Sequence, residues 1–277
     1  MKKKQRDKLF FTIFMYLVTL VIFYPMIMML LVSLKSKAEV VSNPVGVKMS
    51  FQFSNYTEAF REMNYPLAFR NSVTLTACSV LAVSFLGCIA AYAIVRCTKM
   101  KKLFLLINIL FMIGLSLPQQ VAIVPMVLWL QKLHLGNTLL GVVFVYIAAN
   151  ASYAIFLFSG FINTVPVALE EAARMDGATP FKVFWKIVFP LLKAPMVTMI
   201  IVMTLRVWND FMYPLVLLQG KAARPLPLTI FMFKGDLQIE WNIMFAATTM
   251  AILPLMIVYF IFQKQIISGM MTGSVKM

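Results

Sequence analysis

"LEEAARMDGATPFKVFWKIVFPLL", Leu169–Leu192, interrupts a chain that otherwise reads as long apolar runs, and it holds two adjacent acids, a glycine, two prolines and three bases. Local signals divide it into two short helices. Thr164, just upstream, is placed to cap the first, with Pro166 in its opening turn, and Gly177 ends it by accepting a left-handed backbone. Thr179-Pro180 repeats the start signal, and Pro190 is expected to stop the second helix. That second helix sets Phe181, Phe184, Trp185 and Val188 around one side and leaves Lys182 and Lys186 for the other. A helix-turn-helix of this kind is built to be touched.

Its surroundings belong to a membrane protein. Of 277 residues, 61% are hydrophobic and 13% charged, with a mean hydropathy of +0.87, far from the soluble norm of roughly half apolar and a quarter charged. A helix needs about 20 apolar residues to cross a bilayer. Six stretches qualify: 9–32, 71–95, 103–128, 139–161, 195–218 and 243–263. The first exceeds a signal-peptide core and no small-x-small cleavage site follows it, so an uncleaved anchor is expected.

The net charge of +15 comes in short basic runs between apolar stretches, a pattern that sets topology and not one that tracks nucleic acid. With the N-terminus inside, fifteen of the 25 Lys and Arg fall on the inner side, nine on the outer side and Arg206 at membrane depth. The positive-inside bias therefore places both termini, the loop 164–193 and the tail 264–277 in the cytoplasm.

Several chemistries are excluded. Cys78, Cys88 and Cys97 share one apolar segment at separations too long to meet along a helix, and His134 is the single histidine. There is no GxxxxGK[ST] phosphate loop and no nucleophile–base set. No catalytic residue, metal site or cofactor of its own is expected.

Polar groups at depth carry the remaining interest. Span two is rich in small residues, among them Ala77, Ser79, Ala82, Ser84, Gly87, Ala90 and Ala91, which let helices approach closely. Span three carries Pro118 and Pro125 with Gln119 and Gln120 beside them, so a kink is expected that exposes amides. Those amides either hold a neighbouring helix or line a polar path. Arg206 and Asp210 stand four apart, close enough to pair on one helix; the alternatives are an internal pair that fixes packing or gates a pathway, and a direct contact to a solute. Trp208, Asn209, Phe211 and Tyr213 nearby supply either a sugar-type surface or ordinary interfacial anchors. Between the first two spans, "FSNYTEAF" (53–60) spaces Tyr56 and Phe60 for a short surface helix.

The elements Glu171-Ala172-Ala173, Asp176-Gly177-Ala178 and Ile187 to Pro190 resemble the EAA loop of ABC importer permeases, with Phe189 where leucine is common. From about residue 70 onward the chain also looks like a sugar-importing permease of the maltose type: "RNS" (70–72), "LHLGNTLLG" (133–141), "WNDFMYPL" (208–215), "LPLTI" (226–230) and the tail "SGMMTGSVKM", with Gly269, Gly273, Val275 and Lys276. The resemblance implies an all-α membrane protein of the type I importer permease fold, six spans with a cytoplasmic coupling loop, in a prokaryotic inner membrane. It further implies a second homologous permease, a separate ATPase dimer that carries ATP and Mg, and an external sugar-binding protein, with no nucleic-acid partner.

Residues implied in ATPase coupling are Glu170, Glu171, Ala172, Ala173, Asp176, Gly177, Phe181 and Lys276. Pathway candidates are Gln119, Gln120, Arg206, Trp208, Asn209, Asp210 and Tyr213. Glu171 would offer charge to a basic partner residue, the alanines would allow close approach, and Leu169, Met175 and Phe181 would give apolar contacts. The alternatives are an importer for another solute (polyamine, phosphate or peptide), a self-powered carrier, and a nontransporting scaffold.

Overall fold

The computed structural model describes residues 2–233 and 240–274, with side chains over 7–231, 233 and 240–264. Every regular element among them is helical: α1 (Lys2–Ser33), α2 (Lys37–Ser42), α3 (Ser54–Glu62), α4 (Tyr65–Arg96), α5 (Lys101–Ser116), α6 (Ile123–Lys132), α7 (Leu139–Ile162), α8 (Val167–Met175), α9 (Pro180–Val183), α10 (Phe189–Leu191), α11 (Lys193–Trp208), α12 (Met212–Leu217), α13 (Leu226–Ile230) and α14 (Trp241–Ser274). Four of them contain segments long and apolar enough to cross a membrane: Asp7–Ser33, Tyr65–Arg96, Leu139–Ile162 and Trp241–Lys264. Two bent pairs raise the number to six if each is one span.

The first pair replaces the kinked single helix expected over 103–128. α5 meets Gln119–Lys132 at 104°, a break and not a kink. Leu117 and Pro118 are extended, with ψ of 129° and 125°, because a proline ring crowds the preceding residue out of the helical region and removes a donor. Pro125 lies in the first turn of α6, where its missing N–H breaks no helical bond.

The continuous span expected over 195–218 is also interrupted. α11 has 16 residues, a rise of about 24 Å, and ends at Trp208. Asp210 then accepts from the backbone N–H groups of Met212 at 3.1 Å and Tyr213 at 3.4 Å, local bonding that competes with helix continuation and starts α12 instead. At its other end α11 is joined to Pro180–Leu191 across a bend of 73°.

The chain divides into two compact units, 1–67 with 226–257 and 68–225 with 258–277. In the first, α1 is almost wholly exposed along its apolar length, the surface that lipid requires. After it, Lys35 is fully buried and donates Nζ to the carbonyls of Asn43 at 2.8 Å and Pro44 at 3.1 Å. Asn55 of α3 donates to the carbonyls of Ser33 and Lys35 and accepts from Asn242 of α14, all within 2.9 Å. Tyr56 meets the Ser33 hydroxyl at 2.7 Å, while Phe60 stacks on Tyr65. These bonds fix the connection after α1 to α3 and α14.

In the second unit α4 and α7 touch through Gly87, where a Cβ would collide with the Ala154 side chain. Ser79, Ser84, Gly87 and Ala91 form the buried small-residue face of α4. Onto these helices pack Val183, Phe184, Val188 and Leu192 from the loop and Met196, Met199 and Met203 from α11. Where lipid offers no hydrophobic drive, such close dispersion contacts hold helices together.

Candidate functional site

The two helices of the loop 164–193 are set by their caps. Pro166, not Thr164, stands at the N-cap of α8, and the Thr164 hydroxyl donates back to the Phe161 carbonyl at 2.7 Å. At the other end Ala178 N–H reaches the Ala173 carbonyl at 2.9 Å and Gly177 N–H the Arg174 carbonyl at 3.0 Å, the paired bonds of a Schellman close, with Gly177 at φ +80°. The Thr179 hydroxyl accepts from Lys182 N–H and opens α9. The second helix ends at Leu191, one residue past Pro190, before the bend into α11. Residues 184–188 widen into a π turn, with Phe189 N–H bonded to the Phe184 carbonyl. That turn accommodates a residue without an N–H, so the helix runs on to Leu191.

The pair has two contrasting faces. Inward, Phe184 lies 4.9 Å from the Tyr92 ring, with Trp185 T-shaped to Phe184 and tilted against Phe189. Outward stand Leu169, Glu171, Ala172, Met175, Asp176, Gly177 and Phe181, with Met175 88% and Phe181 72% exposed. Phe181 thus leaves the apolar side assigned to it from helical spacing, its ring T-shaped to that of Trp185. Ala173 is half-buried against the core.

Glu170 behaves unlike its neighbour Glu171. It is 1% exposed and is the one buried side chain of α8. Its carboxylate accepts from Arg96 Nε at 2.7 Å and the Tyr92 hydroxyl at 2.8 Å, with Arg174 at 3.9 Å. Arg96 also donates Nη2 to the carbonyls of Ile162 and Val165, at 3.0 and 2.8 Å. A buried carboxylate needs such a set to offset its desolvation.

A second polar cluster joins α7 to the break after α11. Arg206 donates to Asn150 Oδ1 at 3.3 Å and lies 4.8 Å over the Tyr153 ring. Asn150 donates to the Tyr146 carbonyl at 2.8 Å, and the Tyr146 hydroxyl donates to Asp210 at 2.7 Å. The Tyr213 ring stands edge-on to Tyr146, its buried hydroxyl without a hydrogen-bond partner among the described residues. Trp208 is buried edge-on to Phe69. Asn209 is exposed and bonds back to the Leu205 carbonyl. Gln119 and Gln120 are exposed, and Gln119 reaches the Ala149 carbonyl on α7 at 3.2 Å.

The expected Arg206–Asp210 pair is absent: none of the three ion pairs among the described residues joins them. The helix ends between the two, so Asp210 does not sit one turn along from Arg206. Lys276 and Val275 of the tail lie outside the described residues. Among the described residues no cluster of three His, Cys, Asp or Glu could hold a metal.

Sequence reasoning missed Tyr92, Arg96, Tyr146, Asn150 and Tyr153. The last three recur at helical spacing in span four, a polar stripe that a count by face finds.

Comparison with known proteins bears on this geometry. Residues 83–271 match the family model of the binding-protein-dependent transport system inner membrane component. The chain is 31% identical over its full length, and that of its relative, to the probable starch degradation products transport system permease protein AmyC of Thermoanaerobacterium thermosulfurigenes. It is 37% identical to the multiple sugar-binding transport system permease protein MsmG of Streptococcus mutans, over 75% of this chain and 76% of that one. It is 33% identical to the melibiose/raffinose/stachyose import permease protein MelC of Bacillus subtilis, over 92% and 91%. Among solved structures, a chain of a bacterial ABC transporter involved in the import of the acidic polysaccharide alginate has the same fold, with a TM-score of 0.81 at 21% identity over 95% of this chain and 98% of that one. With its helical bundle, bent spans and exposed two-helix loop, the chain belongs to the family of binding-protein-dependent transport system inner membrane components, as a multi-pass membrane permease.

Proposed function

We propose that the chain is the membrane-spanning permease subunit of an ATP-driven importer for a sugar or oligosaccharide, working with a second homologous permease, an ATPase dimer and an external sugar-binding protein. The observation that carries the coupling role is the outward face of α8 and α9. It presents the exposed apolar side chains of Leu169, Met175 and Phe181 together with exposed Glu171 and Ala172, and exposed apolar groups of this kind suit a protein partner. The solute class rests on the relatives, whose names specify starch degradation products, multiple sugars and melibiose, raffinose and stachyose.

ATP and Mg belong on the ATPase, and closure of that dimer moves the loop. The basic bias supports cytoplasmic termini and a cytoplasmic loop. Exposed Asn209, Gln119, Gln120 and Arg206 would offer hydrogen bonds to solute hydroxyls, while Trp208, Asp210 and Tyr213 would support the pathway. Lys276 would meet the ATPase. Purification of the tagged chain from mild detergent tests the reading. Recovery of an ATPase and a second permease, with sugar-stimulated ATP hydrolysis in proteoliposomes, is expected. A single chain active alone would replace this reading with a self-powered carrier.

A further inference from the structure

α8 has one buried side chain, and it is a carboxylate. Helices ordinarily attach to a core through apolar residues, which hold by nondirectional contact. Here the second half of the loop does so, through Val183, Phe184 and Val188. The first half is held otherwise: Glu170 reaches inward to Arg96 and Tyr92 at the end of α4, and Arg96 simultaneously grips the carbonyls of Ile162 and Val165 where α7 gives way to α8. Three elements therefore meet at one guanidinium, whose side chain is 12% exposed. Planar, forked donors suit such multiple directional bonding, and lysine has no equivalent. Glu171, the next residue along and about 100° further round the helix, is exposed.

We propose that Arg96, Glu170 and Tyr92 form the joint through which displacement of α8 is passed to α4 and α7, making them positioning residues for transport. The inference rests on the coupling role proposed above for the outer face of α8. A push on that face would turn α8 about its apolar neighbours unless a directional bond resisted, and Glu170 is the bond that resists. Loss of the joint would leave the ATPase seated but the spans unmoved.

The test uses the complete complex in proteoliposomes, with Glu170→Gln, Tyr92→Phe, Arg96→Gln and Arg96→Lys. Sugar uptake per ATP hydrolysed, copurification of the ATPase and amide hydrogen exchange of 167–175 are measured on each. Glu170→Gln is expected to keep the ATPase bound while uptake per ATP falls about tenfold or more and α8 amides exchange faster by a similar factor, since a charged hydrogen bond is lost from a locally opening element. Tyr92→Phe removes one bond while the Arg96–Glu170 ion pair stays in place, so it preserves the fold and should lower the ratio about two- to fivefold. Arg96→Lys should recover part of what Arg96→Gln loses. Wild-type uptake per ATP in Glu170→Gln and Tyr92→Phe, with the ATPase bound, would overturn the joint alone. A wild-type chain that carries no ATPase would overturn the transport reading and the joint with it.

Discussion

Arg206 and Asp210, four residues apart, both turn to α7 and not to each other: Arg206 to Asn150 and the Tyr153 face, Asp210 to the Tyr146 hydroxyl at 2.7 Å. The chain break at 209–211 thus becomes a clamp on α7. A double-mutant cycle on thermal unfolding in detergent separates the two geometries. Tyr146→Phe with Asp210→Asn should show a coupling of about 1.5–3 kcal/mol, the range for a hydrogen bond to a charged group, whereas Arg206→Gln with Asp210→Asn should be additive within about 0.5 kcal/mol. The reverse pattern would restore the intrahelical pair.

The outer face of α8 and α9 predicts a separation of stability from assembly. Met175 and Phe181 are mostly exposed, so Met175→Ser and Phe181→Ser should leave the melting temperature of the isolated chain within about a degree or two, as surface substitutions do. In the proposed complex the same side chains would be buried anchors. Each change should weaken ATPase binding by about tenfold or more, and Glu171→Ala should do likewise. Titration of purified ATPase onto the reconstituted permease reads this directly; unchanged affinity in all three would remove the face from the interface.

Gly177 isolates a backbone effect. A Cβ added there meets nothing within 4 Å, yet its φ is +80°, a conformation that costs an L side chain about 1–2 kcal/mol. Gly177→Ala should therefore destabilise the loop by that amount, measured as faster amide exchange over 167–183. Gly177→Asn, whose side chain tolerates the left-handed region, should cost less. Equal behaviour of the two variants would show that the left-handed backbone does not set the cost.

How much of this was legible beforehand depended on whether the deciding partner was local. The apolar stretches were, because a bilayer demands about 20 consecutive apolar residues wherever it is crossed; so were the Schellman close at Gly177 and the cap at Thr179, set within a few residues. Whether Pro118 kinks or breaks its helix was not, since the freed groups need partners elsewhere, and Gln119 finds one on α7. Asn209 and Asp210 end a helix without proline or glycine, through a carboxylate bonding its own backbone and a tyrosine 64 residues earlier. Glu170 and Glu171 are chemically identical neighbours, and the partners that receive the buried one, Arg96 and Tyr92, lie 74 and 78 residues away.

The connection after α1 predicts a pH dependence of definite sign. Ser36 and Glu39 form a capping box at the start of α2, in which Glu39 accepts from the Ser36 backbone N–H at 2.8 Å and the Ser50 hydroxyl at 2.7 Å. The Ser36 N–H, followed by Ser50, holds the Glu39 carboxyl down from an ordinary 4.5 to about 2. A depressed carboxyl stabilises the folded connection above its unfolded value, and that contribution fades as pH falls from about 4.5 through about 2. Amide exchange of 36–43 should accordingly rise across this window while α7 stays protected. Ser50→Ala should move the Glu39 midpoint upward without abolishing the cap, because the Ser36 bonds remain. Exchange that is flat from pH 5 to 2, or a midpoint near 4.5 followed by NMR of the labelled carboxyl, would show that the box is not formed in the membrane.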